Sequence, residues 1–428
     1  MHKADLLHDD NALQQKLETI YQLRRTRSKI NWDRGQYLDL LKAFGNPHLN
    51  LPPVIHVAGT NGKGSVIAML RAILENAGLS VHCYTSPHLI KVNERIYLAG
   101  KDIEDKYLEE LIDQALEYNE GAPLSFFEIT TALAFKAFSQ NPADILLLEV
   151  GMGGRLDCTN VIEAPLVTII NRISLDHTEF LGDNIEVIAK EKAGIMKQNI
   201  PCIISYQGND DIIKILKNEA SSYGAKPYIS GYQWNIKQKD NAIVFSYNNK
   251  EHEFPLPSLQ GAHQIQNAGV ALACLFSVSD KLDISHKAMA KGLKSVQWLG
   301  RLQRINIDDL ETEIWLDCGH NDSAGEALAI EIKQWGSNVH LIMGMLDKKD
   351  ASGFLKPLLP LIKSIHIVSI SPELNTKNKS DLKENIEIYE HDNFIEAIKF
   401  IHSNDKYAKI LIVGSVYLAG KVLSYIND

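Results

Sequence analysis

The sequence predicts an α/β protein built from two α/β units in tandem, on three observations. Short apolar, β-branched runs alternate with segments of helical periodicity between about residues 54 and 205, and the same alternation resumes after Gly300. Between them, residues 229–258 switch to two-residue alternation around Lys-Asp-Asn and Asn-Asn-Lys turn signals. A chain of 428 residues also exceeds what a single hydrophobic core usually serves.

Taken in order, Leu13, Leu17, Ile20 and Leu23 share one face of an opening helix over about 10–27, and Asn31–Gly35 leads into a second helix. Strands are expected at 54–58, 81–84, 144–150, 166–171 and 201–205, separated by helical patterns at 105–118, 127–139 and 184–197. Such alternation requires a mostly parallel sheet covered on both faces. The segment containing Trp234, Ile236, Ile243, Phe245 and Tyr247 reads as a small antiparallel flap, followed by a helix over 263–278. A Rossmann-like C-terminal series then places strands at 313–318, 340–345, 364–369 and 409–413. The domain boundary is expected within 295–302, giving domains 1–297 and 298–428.

Composition narrows the class. Apolar residues make up 45% and charged residues 23%, an ordinary globular balance. The apolar run at 143–150 is too short to span a bilayer and contains Asp144 and Glu149. Met1-His-Lys-Ala-Asp lacks the basic-then-apolar design of a signal peptide, so a cytoplasmic protein is expected. Five cysteines, odd in number and never spaced C-x-x-C, indicate neither a disulfide framework nor a thiolate zinc site. A net charge of −9 without a Lys/Arg stripe argues against nucleic acid as the main partner. The one basic cluster, Arg24-Arg25-Thr-Arg27-Ser-Lys29, reads as a solvated helix end that could attract a small anion.

The chemistry concentrates where the strand at Val54–Ala58 meets Gly59-Thr-Asn-Gly-Lys-Gly-Ser65 and a helix. Gly59, Gly62 and Gly64 allow close backbone approach to phosphate, and a helix N-terminus offers unpaired N–H groups with a positive dipole end. Asn61, Gly62, Lys63, Gly64 and Ser65 are therefore candidate nucleotide-binding residues in a P-loop ATPase-like domain, with the Ser65 hydroxyl toward Mg²⁺. The general spelling is G-x-x-x-x-G-K-[ST]; here the loop is shorter and Gly64 separates lysine from hydroxyl. Other strand ends carry Ser86, in Thr-Ser-Pro-His, and Glu149, before Gly151-Met-Gly-Gly154. A further strand ends at Asn171, six residues before His177. Oxygen and nitrogen donors converging at one sheet edge beside a phosphate loop suit a metal–nucleotide centre.

Gly59–Ser65, Thr85–Leu89, Leu148–Asp157, Leu175–Thr178, Glu191–Ile195 and Asp317–Asn321 resemble, in order and spacing, the folylpolyglutamate synthase and dihydrofolate synthase family of the Mur ligase superfamily. The match covers nearly the whole chain, to Gly344–Lys348 and Val413–Leu418. The resemblance implies an ATP-dependent ligase that joins L-glutamate to dihydropteroate and to reduced folates through an acyl phosphate. It implies Lys63 on the phosphates, Ser65 on the nucleotide-bound Mg²⁺, Glu149 shared between two ions, and Ser86 and His177 on the second. Lys192 matches the lysine that carries a carbamate, a change that turns a repelling ammonium into a metal-binding carboxylate. Asn267 matches an adenine contact, Arg301 and Asp317 match nucleotide residues of the linker and second domain, and ATP is expected between the domains. His320 and Asn321 would face the reacting phosphate or the incoming glutamate. Gly319 and Asp322 depart from the Ala and Pro often found there.

For the pteroate substrate, the resemblance implicates Ser125, Phe126, Phe127, Glu128, Arg155 and Asp157; Phe126 or Phe127 could stack on a pterin, although a Phe pair entering a helix is more often core. It also implicates Lys29, Ile30, Asn31 and Trp32, where bifunctional members read Thr-Ile-Asp-Leu; the difference leaves a monofunctional folylpolyglutamate synthase as the alternative. A peptidoglycan Mur ligase would need a separate UDP-binding domain ahead of the loop, for which Gly59 lies too early. A non-catalytic nucleotide switch would need the loop but not Lys192, His177 or the second-domain residues. A monomer acting on small molecules, with neither nucleic acid nor membrane as partner, is expected.

Overall fold

The computed structural model describes residues 7–23, 34–176, 178–307, 312–336, 338–370, 376–382 and 385–427. One compact unit runs to Ser258 and resumes over Ile265–Gln297; the other comprises Leu259–Gln264 and the chain from Trp298 onward.

The first unit is organised by an eight-stranded sheet: β1 (Val54–Ala58), β2 (Val81–Tyr84), β3 (Ile96–Leu98), β4 (Lys101–Asp102), β5 (Ile145–Glu149), β6 (Val167–Ile170), β7 (Pro201–Ile204) and β8 (Lys226–Ile229). Their order is β4-β3-β2-β5-β1-β6-β7-β8. From β2 to β8 every pairing is parallel, and only β3 and β4 run antiparallel at one edge. Complete burial of β1, β2, β5 and β6 explains their unbroken apolar spelling, since helices cover both faces of a parallel sheet. The helix Phe126–Gln140 is apolar around most of its circumference and correspondingly buried, with Phe126, Leu133, Phe135 and Phe138 in the core. On the same face, toward β7, Ile188, Ala189 and Ala193 of the helix Ile185–Ala193 pack with Ile170, Ile204 and Leu216.

The flap contains three strands, β9 (Trp234–Lys239), β10 (Ala242–Tyr247) and β11 (Lys250–Pro255), in the order β11-β10-β9. Sequence periodicity marks β9 and β10, but Lys250-Glu-His-Glu carries too few apolar residues to announce β11. The second unit holds a six-stranded sheet of β12 (Gln303–Ile305), β13 (Glu313–Leu316), β14 (Val339–Met343), β15 (Ser364–Val368), β16 (Glu387–His391) and β17 (Lys409–Val413). The order β12-β13-β17-β14-β15-β16 is parallel apart from β12. Short or half-exposed strands such as β3, β4, β8, β12 and β16 are the ones that pattern reading misses. No helix among the described residues is long and apolar enough to cross a membrane.

Candidate active site

Register decides which residues meet. β1 lies between β5 and β6, with Val57 beside Glu149 and Ala58 beside Ile170. Glu149 and Asn171 therefore flank the glycine loop at the carboxyl edge of the sheet. Tyr84 pairs with Leu148, which brings the turn after β2, and Ser86 with it, to the same edge. Open parallel sheets bind ligands at such an edge.

The glycine loop is docked on the segment after β6. Thr60 N–H and Asn61 N–H both donate to Arg172 O, at 2.8 and 3.3 Å. Thr60 Oγ1 donates to Ser174 O at 3.0 Å, Ser174 N–H returns a bond to Thr60 Oγ1 at 3.1 Å, and Asn61 Nδ2 reaches Ser174 Oγ at 3.2 Å. The two N–H groups at the front of the loop are thus committed to the segment after β6, and the helix N-terminus begins just beyond them at Gly62. Gly62 is the N-cap of the helix Lys63–Asn76, has φ +79°, and supplies no side chain to cap it. A helix terminus left open this way is an anion site in waiting.

Side chains around the loop carry opposite charges at close range. Lys63 Nζ stands 3.7 Å from Glu149 Oε1, and Glu149 Oε2 accepts from Ser86 N–H at 3.0 Å. Lys192, in the helix behind the loop, is buried and donates to Gly59 O at 3.1 Å. Burial, reinforced by the positive charge of Lys63, pushes the Lys192 amine down to about 7, with Asp176 and Asp157 opposing. Glycines make this helix reachable: a Cβ on Gly154 would lie 2.6 Å from Glu191 O and 3.0 Å from Lys192 Cα. Ser65 and Glu149 are buried oxygen donors of the kind Mg²⁺ takes, so the donor set fits a hard cation. Among the described residues no three His, Cys, Asp or Glu side chains converge as a metal cluster. His177 lies outside the described residues, as do Lys29, Ile30, Asn31 and Trp32.

Asn267 is buried, and its Oδ1 accepts from Asn171 Nδ2 at 3.1 Å. In the second unit, both Asp317 oxygens accept backbone N–H groups, from Gly319 at 2.7 Å and Leu302 at 2.8 Å. Arg301 Nη1 donates to Gly300 O at 3.0 Å, and the His320 ring hydrogen-bonds Cys318 O at 3.0 Å. Asn321 caps the helix Asp322–Ile332 through Ala324 N–H.

A family model for the Mur ligase middle domain matches residues 57–275. The dihydrofolate synthase/folylpolyglutamate synthase of Bacillus subtilis is 33% identical over 408 residues, spanning 91% of this chain and 93% of that protein. The probable dihydrofolate synthetase of Schizosaccharomyces pombe is 31% identical over 91% of this chain and 97% of its own length. The chain belongs to the folylpolyglutamate synthase/dihydrofolate synthase family of Mur ligases. Among solved structures, Escherichia coli FolC in complex with DHPP and ADP superposes with a TM-score of 0.85 at 28% identity, covering 96% of each chain. Mycobacterium tuberculosis folylpolyglutamate synthase complexed with ADP gives 0.86 at 27%, covering 97% of this chain and 98% of that one.

Within this family member, the residues matched to a pteroate site divide by what they already hold. Ser125 and Glu128 form a reciprocal helix cap: Ser125 N–H donates to Glu128 Oε2 at 2.7 Å and Glu128 N–H to Ser125 Oγ at 3.2 Å. The spelling Ser-x-x-Glu ahead of an apolar helix carries that signal in the sequence. Phe126 is core. Phe127 is half-buried, with its ring against Tyr84 and in the space where a Cβ on Gly151 would sit, so it is the phenylalanine of the pair open to a ligand. Asp157 is buried, which raises its pKa against the pull of its hydrogen bonds. Its oxygens accept from Met152 N–H, Thr159 N–H and Thr159 Oγ1 at 2.9, 3.0 and 2.5 Å. Arg155 is exposed and forks onto Glu191 Oε1 at 3.0 and 2.7 Å. Sequence reading did not assign Asn171, and nothing in its local spelling announces its contacts.

Proposed function

We infer that this protein is an ATP-dependent ligase that forms an amide between L-glutamate and the carboxylate of dihydropteroate or of a reduced folate. The observation that carries the reading is an uncapped helix N-terminus with Lys63, Glu149, Ser86 and Lys192 gathered around it, in a chain of this family. Lys63 and the helix N-terminus at Gly62 would hold the triphosphate, with Asn267 assigned to the base. The acceptor carboxylate attacks the γ-phosphorus, the bond to the β–γ bridging oxygen breaks, and ADP leaves. Lys63 then faces the negative charge that accumulates on the departing phosphate, where a preorganised cation is most effective. The neutral amine of glutamate attacks the acyl carbon, phosphate departs with the acyl C–O bond, and the amine loses its proton. Phe127 is the candidate stacking surface for the pterin.

Ser65, Ser86, Glu149 and His177, with Lys192 as its carbamate, are the proposed holders of Mg²⁺. Bound Mg²⁺ would neutralise phosphate charge and fix its orientation. A lysine shifted to about 7 is substantially neutral near pH 7, as attack on CO₂ requires; the product is a carbamate anion and a released proton. This conversion places an anion where the neutral amine faced Lys63, whose positive charge favours it.

Product mass analysis with ATP, Mg²⁺ and glutamate, run in parallel on dihydropteroate and on a reduced folate, tests the reading. A gain of one glutamate on both acceptors is expected. A gain on the folate alone would make the enzyme monofunctional, and ATP hydrolysis without any amide product would sink the ligase assignment. Lys192→Ala should abolish ligation and recover part of it with added short carboxylic acids.

A further inference from the structure

Asn171 stands where the glycine loop and Asn267 meet. It is buried, and its backbone N–H, its carbonyl and its side-chain nitrogen are all engaged. Its N–H donates to Ala58 O at 2.7 Å, and its carbonyl accepts from Gln207 Nε2 at 3.3 Å. One Nδ2 hydrogen goes to Asn61 O at 3.0 Å, the other to Asn267 Oδ1 at 3.1 Å. The two loop glycines are cut to fit it. A Cβ on Gly59 would lie 2.9 Å from Asn171 Cβ, and one on Gly62 would lie 2.5 Å from both Asn171 Nδ2 and Asn267 Oδ1.

The chemistry of this junction is selective. Two acceptors, a loop carbonyl and a side-chain oxygen, must be served by one group with two hydrogens, which a carboxamide supplies. Aspartate brings only acceptors, serine a single hydrogen, and glutamine an extra methylene beside Gly62, where there is no room. By engaging Asn267 Oδ1, Asn171 also fixes which way that amide faces and turns its nitrogen to the opposite branch.

We propose that Asn171 is a positioning residue that joins the phosphate loop to Asn267 and sets the polarity with which Asn267 meets the nucleotide base. The inference rests on the nucleotide-binding reading above. Replacement by aspartate reverses the polarity: a carboxylate draws the Asn267 nitrogen toward itself and presents its oxygen to the base. Base discrimination should then change as well as affinity, and stability loss alone would not produce that.

The test is calorimetric titration of the Mg²⁺-loaded full-length protein with ADP and with IDP, whose hypoxanthine replaces the N1 acceptor of adenine, suited to an amide donor, by an N–H, together with thermal melts. Wild type should bind ADP more tightly than IDP. Asn171→Asp should lower that preference at least tenfold, and Asn171→Ser, which keeps one hydrogen, by less. If the aspartate variant does not fold, the serine variant decides. An unchanged ADP-to-IDP ratio in the folded variants, whatever their melting temperatures, overturns the inference alone. Failure of wild type to bind ADP overturns the nucleotide reading and the inference with it.

Discussion

Two glycine-bearing loops, one in each unit, leave a strand and open a helix, and they end differently. Gly59–Gly62 leads from β1 into a helix whose N-cap is a glycine with no side chain to offer. Asp317–Asn321 leads from β13 into a helix capped by Asn321, while the Asp317 carboxylate accepts the N–H groups of Gly319 and Leu302. In the second loop side chains accept from the N–H groups of Leu302, Gly319 and Ala324; in the first, no side chain caps the helix. Glycine content alone does not distinguish them. What marks a phosphate site is the missing cap, with a lysine as the next residue.

Breaking the open loop at its cation should have the largest effect. Lys63→Ala removes the charge proposed to face the transferring phosphate, and about 10²–10³ in kcat should be lost, as for deletion of one oxyanion donor. Steady-state phosphate release with dihydropteroate and glutamate measures it. A loss below tenfold would mean that the charge beside Glu149 serves the fold rather than the phosphates.

Gly62→Ala comes next. At φ +79° a side chain is strained, and its Cβ would lie 2.5 Å from two amide atoms. The expected cost is about 1–3 kcal/mol of stability, read from urea midpoints. Gly319 lacks a left-handed φ, and its Cβ would meet Asp317 Oδ1 at 2.9 Å and Ala324 Cβ at 3.0 Å. Gly319→Ala should therefore cost less than Gly62→Ala, and the reverse order would remove the backbone basis of the comparison.

The loops also differ in the charge buried beside them. Asp317 is a carboxylate met by two N–H donors, whereas Lys192 is an amine whose burial pushes it down to about 7 from an ordinary 10.5. Between those values the unfolded chain carries a proton that the native state does not. Stability should therefore rise with pH from 7 toward 10, by at most about 1.4 kcal/mol per pH unit. Relative to Lys192→Met, wild type should gain over that window in urea titrations without CO₂ or Mg²⁺. A constant difference would show that the lysine remains charged in the fold.

Half of this contrast can be read in the sequence, because local spelling controls it. The β-branched run before Gly59, the glycines and the following lysine announce the first loop, whereas the cap that Asn321 supplies in the second is shown by the fold. Strand ends such as Glu149 were legible because a buried apolar run ending in a carboxylate places it at the sheet edge. The role of Asn171 was not, since it depends on β6 lying next to β1 and on Asn267, distant in sequence, arriving at the same point. Ser125 and Glu128 carry a second signal in their spacing, a capping box, and the structure forms it. The bonds of Met152 and Thr159 to Asp157 follow only from the folded loop.

The smallest predicted effect lies in the closed loop. Asn321→Ala deletes the side chain that accepts from Ala324 N–H at 3.0 Å, so about 1 kcal/mol of stability should be lost, as for other N-caps. The variant also makes the second helix terminus resemble the first, because the donor that Asn321 engaged is now exposed to solvent. If an uncapped terminus is what attracts an anion, added sulfate should raise the urea midpoint of Asn321→Ala more than that of wild type, with chloride at equal ionic strength as the control. Equal responses would mean that an open cap is insufficient, and that the first loop binds anions through Lys63 and its packing against Asn171.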